Sequence, residues 1–258
     1  MPLPYAVNCS ILFTELPLLE RPAAAAAAGF DAVEFWWPFP TAAPGDAEVE
    51  AFARAVEDAG VALVGMNLTG GDMAAGERGL ASLPGREREF RDSVDVAAGL
   101  GKRLGIEVFN ALYGNRAEGV DARDQDDLAE QNLTRAAALL PGTVVIEPLS
   151  GVATYPLRTA ADALAVIDRV GAPNVALLFD LYHLAVNGDD LAAVIADHAA
   201  RIGHVQIADA PGRHEPGTGT IPFDRYLAAL TGAGYSGRIA LEYLPTTTTE
   251  RAFDWVRS

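Results

Sequence analysis

Four stretches in the second half of the chain share one grammar, a short apolar run that ends in an oxygen-bearing side chain. Val144, Val145 and Ile146 lead into Glu147, and Pro148 follows. Proline has no N–H to give a ladder, so Glu147 falls at or just past a strand's C-terminal end. Val175 to Phe179 lead into Asp180, the run from His204 to Asp209 carries Gln206, and Arg238 to Leu241 lead into Glu242. Short runs without polar alternation have the composition of strands buried on both faces, the habit of parallel sheets. A closed parallel barrel would bring all four side chains to one end, the end where such barrels carry their chemistry.

The remainder of the chain repeats the same strand–helix unit. Strands are expected near Pro4–Cys9, Asp31–Phe35, Val61–Met66 and within Gly105–Leu112. Helices are expected over Leu16–Ala28, Ala47–Ala59, Arg86–Leu104, Asp124–Leu140, Thr159–Val170, Asp189–Ala199, Pro222–Gly234 and Thr249–Arg257. Thr159 reads as an N-cap, and Gly29, Gly60 and Gly171 as helix stops. Eight strands alternating with eight helices predict an α/β fold, a single (β/α)8 TIM barrel spanning residues 1–258. The length of 258 residues suits one such barrel, and a hydrophobic content of 50% suffices to fill it.

The stretch from Asn67 to Gly85 is rich in glycine and too long for a simple connection. Long loops inside compact domains are commonly functional. It follows strand three, on the rim that holds Glu147, and is read as a substrate lid, with an ordered surface loop as the rival.

Glu147, Asp180, Gln206 and Glu242 make an all-oxygen set. Three carboxylates in one place repel one another unless a cation neutralises them, so the set implies a divalent metal. Oxygen donors favour Mg²⁺ or Mn²⁺, whereas zinc sites are richer in His or Cys. The alternative is that each carboxylate merely pairs with a neighbouring Arg or amide, a reading that weakens when four oxygen-bearing side chains recur on successive strands. His183 is expected on the loop above the Asp180 strand, overlooking the metal. His204 should face the same side as Gln206 one layer deeper, as a satisfied core histidine. Arg213 falls on the loop after strand seven, either as a grip for an anionic substrate or as a structural ion pair. His214 beside it reads equally as a helper or as a solvent-facing residue.

The net charge of −16 disfavours a nucleic-acid partner. The single Cys9 fits a reducing compartment. The chain shows no signal peptide and no apolar run of about 18 residues, so a soluble cytoplasmic protein without a membrane partner is expected. Nothing in the sequence excludes a homo-oligomer.

The lid stretch Gly71–Arg86, the run His204–Asp209 and the segment Arg213–Gly219 together resemble the hydroxypyruvate isomerase family, one of the xylose-isomerase-like barrels. The likeness runs from Asn8 through Leu12–Glu15 to Glu242 and Tyr243. It implies metal ligands at Glu147, Asp180, Gln206 and Glu242, acid/base roles for Glu147 and Glu242, and substrate contacts from His183 and Arg213, with Asn67 as a further candidate. It also implies a small anionic 2-oxo acid as substrate, hydroxypyruvate interconverting with tartronate semialdehyde. The rivals are a 2-oxo-tetronate isomerase and a ketose 3-epimerase; many epimerases of the superfamily carry His where this chain has Gln206. More remote are a metal-dependent endonuclease, which should be more basic and richer in His, and a non-catalytic binding barrel.

Overall fold

A computed structural model describes residues 4–257. Eight parallel strands close on themselves in sequence order, β1-β2-β3-β4-β5-β6-β7-β8, with β8 returning to β1. They are β1 Tyr5–Asn8, β2 Ala32–Phe35, β3 Ala62–Asn67, β4 Val108–Asn110, β5 Thr143–Ile146, β6 Val175–Asp180, β7 Ile202–Ile207 and β8 Ile239–Leu241. The expected (β/α)8 barrel is therefore the fold observed. The strand interiors are almost wholly buried, because the barrel's own core lies on one face and the helix layer on the other.

The helices around it are α1 Arg21–Ala27, α2 Asp46–Ala59, α3 Glu87–Leu104, α4 Ala122–Leu139, α5 Ala160–Val170, α6 Leu181–Asn187, α7 Leu191–His198, α8 Phe223–Gly232 and α9 Asp254–Arg257. Their ends follow local chemistry. Thr159 caps α5 in a reciprocal box with Asp162. Asp121 and Asp190 accept from the free N–H groups that open α4 and α7. On α3, Phe90, Val94, Ala97 and Gly101 face inward at helical spacing, and a Cβ at Gly101 would come within 2.6 Å of the Phe109 ring.

Two departures concern the sequence expectations. The first and last helices are shorter than expected, each preceded by a 3₁₀ turn, at Leu18–Glu20 and Arg251–Phe253. His183 sits on α6, a helix, and not on a loop. Asp180 caps that helix by accepting from the backbone N–H of Tyr182 at 2.7 Å and of His183 at 3.2 Å, and Gly188 ends it. Seven residues are too few for a helical period to show in the sequence.

Candidate active site

The C-terminal ends of β2 and β5–β8 deliver a cluster of buried polar side chains. Glu147 lies one residue beyond β5, and its Oε2 accepts from Asn110 Nδ2 at 2.6 Å. Asp180 closes β6; Oδ1 is taken up by the cap of α6, while Oδ2 is buried with no hydrogen-bond partner among the described residues. Gln206, near the end of β7, donates from Nε2 to Glu34 at 2.7 Å and to Glu242 at 2.5 Å, leaving Oε1 buried and without a partner among the described residues. Glu242, one residue beyond β8, also accepts from Asn8 Nδ2 at 2.9 Å and from Arg213 Nη2. Glu147, His183, Arg213, Glu242 and Asn67 line a single cavity of about 460 Å³.

Burial sets the electrostatics. The Glu147 carboxyl is pushed up to about 8, first by loss of solvent and then by the neighbouring Asp180 charge, with the Asn110 hydrogen bond opposing. Burial also lifts Glu242 well above the ordinary carboxylate range; Arg213 opposes, and the charges of Glu147, Glu34 and Asp180 add to the rise. Burial pushes His183 down to about 4, so its imidazole is neutral at physiological pH. A site in which buried carboxylates resist ionisation, with Asp180 Oδ2 and Gln206 Oε1 left as bare acceptors, has the donor chemistry of a divalent cation site.

Among the described residues, Glu147, Asp180 and His183 bring ligand atoms within 4.8 Å of one another, close enough for one metal ion. Glu242 stays outside that group, its oxygens engaged by Arg213, Gln206 and Asn8. His183 has a further constraint. Its Nδ1 accepts the backbone N–H of Ser150 at 3.0 Å, so Nδ1 must carry the lone pair and Nε2 the proton. In that tautomer Nε2 is a donor, which suits a substrate oxygen better than a metal.

Reading the sequence strand by strand left out Glu34. It stands in β2 between Val33 and Phe35, a carboxylate in an apolar run like Glu147, Asp180 and Glu242. Its oxygens accept from Asn8 at 2.8 Å and Gln206 at 2.7 Å, and pair with His204 Nε2 at 2.7 Å. Burial opposes its ionisation, but the His204 charge and these donors outweigh it and hold the carboxyl below its ordinary range. Gly65 on β3 makes room, since a Cβ there would lie 3.1 Å from Glu34 Oε2. His204 is thus the satisfied core histidine expected. His214 pairs through Nδ1 with the Leu244 carbonyl, away from the cavity lining.

The Asn67–Gly85 loop forms one wall of the cavity through Asn67, Met73, Ala74 and Arg78. It is stapled in place: Glu77 pairs with Arg86 at 2.7 Å, Asn115 donates to Gly76 O at 2.9 Å, and Asn132 donates to Ala81 O at 2.8 Å.

Comparison with known proteins settles the kinship. Residues 22–258 match the family model described as a xylose isomerase-like TIM barrel. A Streptomyces coelicolor protein provisionally named a hydroxypyruvate isomerase is 50% identical, with 98% of this chain and 95% of that one aligned. The Escherichia coli hydroxypyruvate isomerase is 36% identical, with 98% and 97% aligned. The chain belongs to the hydroxypyruvate isomerase family. A 2-oxo-tetronate isomerase of Cupriavidus necator is also 36% identical, over 98% of this chain and 97% of that one. A Brucella melitensis protein solved as an AP endonuclease of family 2 superposes with a TM-score of 0.90 at 36% identity, covering 100% of this chain and 98% of that one.

As a member of the hydroxypyruvate isomerase family, the chain is an isomerase. The expected ligand and acid/base positions Glu147, Asp180, Gln206 and Glu242 all come to the same end of the barrel. Arg213 reaches this cluster too, but as the ion-pair partner of Glu242, largely withdrawn from solvent. No helix among the described residues is long and apolar enough to cross a membrane.

Proposed function

We propose that this isomerase interconverts hydroxypyruvate and tartronate semialdehyde with the help of a divalent cation. The observation that carries the reading is the pair Glu147 and Glu242, two buried carboxyls with raised proton affinity on one cavity. The names of the most similar relatives support the substrate.

The reaction moves one proton from C3 of hydroxypyruvate to C2, while the hydroxyl proton on O3 passes to O2. One glutamate takes the carbon-bound proton and the other returns a proton to the adjacent carbon; the direction of turnover decides which does which. A carboxyl raised toward neutrality by burial is a stronger base than an exposed one, which suits abstraction next to a carbonyl. His183, neutral and holding its proton on Nε2, can donate to a substrate oxygen without adding charge. Glu147, Asp180 Oδ2 and Gln206 Oε1, with Glu242 beside them, would hold Mg²⁺ or Mn²⁺. Such an ion, when bound, supplies positive charge to the oxygens that become anionic as the proton leaves carbon.

A second reading keeps the chemistry and lengthens the substrate. A cavity of about 460 Å³ has room for a four-carbon 2-oxo acid, and the Cupriavidus necator relative is named for one. A DNA substrate finds no support in a chain of net charge −16. The deciding test is turnover of hydroxypyruvate, 2-oxo-tetronates and ketoses with Mg²⁺ or Mn²⁺ added, and again after chelation. Hydroxypyruvate should be the best substrate and chelation should stop turnover. Preference for a ketose, or full activity in chelator, would overturn the reading.

A further inference from the structure

Two cationic side chains line the cavity, Arg213 and Arg78. Arg213 is already committed to Glu242. Arg86, just beyond the loop at the N-terminus of α3, is committed to Glu77 and Glu89. Arg78 makes no ion pair among the described residues. Its Nη1 donates to the carbonyls of Met73 at 3.0 Å and Glu77 at 2.7 Å, both within its own loop. The Nε–H and Nη2–H edge takes no described protein partner, and that edge is the one with which a guanidinium grips a carboxylate in two parallel bonds.

The loop holds this side chain against the barrel rather than leaving it on a mobile tip. Gly79 bridges to Tyr113 beyond β4, and Gly114 N donates to the Arg78 carbonyl at 3.0 Å. Gly79 has φ +100°, and a Cβ there would fall 2.0 Å from the Leu112 carbonyl oxygen, so only glycine allows the approach. On the other side, Glu77 is fixed by Arg86 and by the Asp72 N–H at 2.6 Å. The sequence Glu77-Arg78-Gly79 thus sets a cation with no ion pair among the described residues between two anchors, facing the cavity that holds Glu147 and Glu242.

Resting on the 2-oxo acid reading, we propose that Arg78 is the residue that recognises the substrate's carboxylate and so selects 2-oxo acids over neutral ketoses. The test uses the Mg²⁺-loaded full chain and two ligands with the same three-carbon skeleton. Hydroxypyruvate carries the carboxylate; dihydroxyacetone carries a hydroxymethyl group in its place. Binding of both is measured by calorimetry for wild type, Arg78→Gln and Arg78→Lys, alongside KM and kcat for hydroxypyruvate. Arg78→Gln should weaken hydroxypyruvate binding and raise its KM by about tenfold or more, the scale of one charge-assisted pair. Its kcat should change far less, and dihydroxyacetone binding should hold within about twofold. Arg78→Lys should recover only part of the loss, because an ammonium lacks the fork. Equal weakening of both ligands would reduce Arg78 to a loop support, and unchanged hydroxypyruvate binding would remove it from recognition; either outcome overturns the proposal. Failure of the wild type to turn hydroxypyruvate over would instead overturn the assigned reaction, while the two-ligand comparison would still decide the role of Arg78.

Discussion

Gln206 donates through Nε2 to both Glu34 and Glu242, at 2.7 Å and 2.5 Å, so the amide's oxygen is the atom left over, buried and without a partner among the described residues. One side chain therefore separates two carboxylates and offers a bare acceptor toward the proposed cation. Gln206→Leu should break both functions. Each carboxylate loses a donor, at about 1–3 kcal/mol per unsatisfied buried group, and urea unfolding of the metal-free variant should register the sum. Metal affinity should fall by at least the roughly 10–100-fold lost with an outer-shell partner. Gln206→His should be gentler, since imidazole both donates and ligates. Wild-type metal affinity in Gln206→Leu would show that Oε1 is not a ligand.

Glu147→Gln and Glu242→Gln each remove a proton carrier and keep the shape of the side chain. Turnover should fall by about 10²–10⁴-fold in either variant, with the circular dichroism spectrum unchanged. Activity within a few-fold of wild type would contradict the assigned acid/base pair.

The raised proton affinity of Glu147 gives the metal-free fold a pH dependence of definite sign. Its folded value near 8 lies above the ordinary 4.5, so the folded state holds the proton more tightly than the unfolded chain. That contribution is complete below about 4.5 and is lost as pH rises through 8. His183 acts oppositely: lowered to about 4 from 6.5, it contributes fully above 6.5 and less as pH falls toward 4. In chelator, the melting temperature should decline between pH 6.5 and 8.5, and Mg²⁺ should restore it at the alkaline end, where the ligands have shed their protons. A flat profile in chelator would mean that the carboxyl is already ionised in the fold.

The barrel and most of the site were legible for the same reason. A strand buried on both faces tolerates few polar residues, so Glu147, Asp180, Gln206 and Glu242 stand out against apolar runs. Glu34 stands in the same kind of run, inside the expected strand Asp31–Phe35, but Phe35 and Trp36 follow it, so the run does not end on its carboxylate as the runs before Glu147, Asp180 and Glu242 do. The α6 helix was hidden by its length. That Arg213 pairs with Glu242 was not legible, because ion pairing across 29 residues depends on how β7 and β8 are aligned.

The Ser150 N–H fixes the tautomer of His183, which makes a spectroscopic prediction independent of turnover. Nitrogen-15 NMR of the metal-free protein should show His183 neutral and protonated on Nε2 from pH 8 down to about 5, with titration only near 4. Ser150→Ala should leave this signal in place, because the backbone N–H survives the loss of the hydroxyl contact at 2.8 Å. An Nδ1-protonated ring, or titration near 6.5, would return His183 to the set of candidate metal ligands.

Arg213 was expected either to grip an anionic substrate or to make a structural ion pair, and its pairing with Glu242 fits the second of these. The guanidinium also stacks its cation over the Tyr182 ring at 5.7 Å, and its buried Nε has no partner among the described residues. In the proposed reaction, a side chain held this way would position Glu242 and supply fixed positive charge, whatever substrate is bound. Arg213→Lys keeps the charge but loses the planar contact with Tyr182 and the directed bond to Glu242. The expected consequence is a fall in kcat for hydroxypyruvate and for any neutral ketose alike, in contrast to the substrate-selective loss of affinity expected at Arg78. Should Arg213→Lys raise KM for 2-oxo acids alone, the unpaired Nε would be the carboxylate's partner and the alignment of Glu242 would have to come from Gln206 and Asn8.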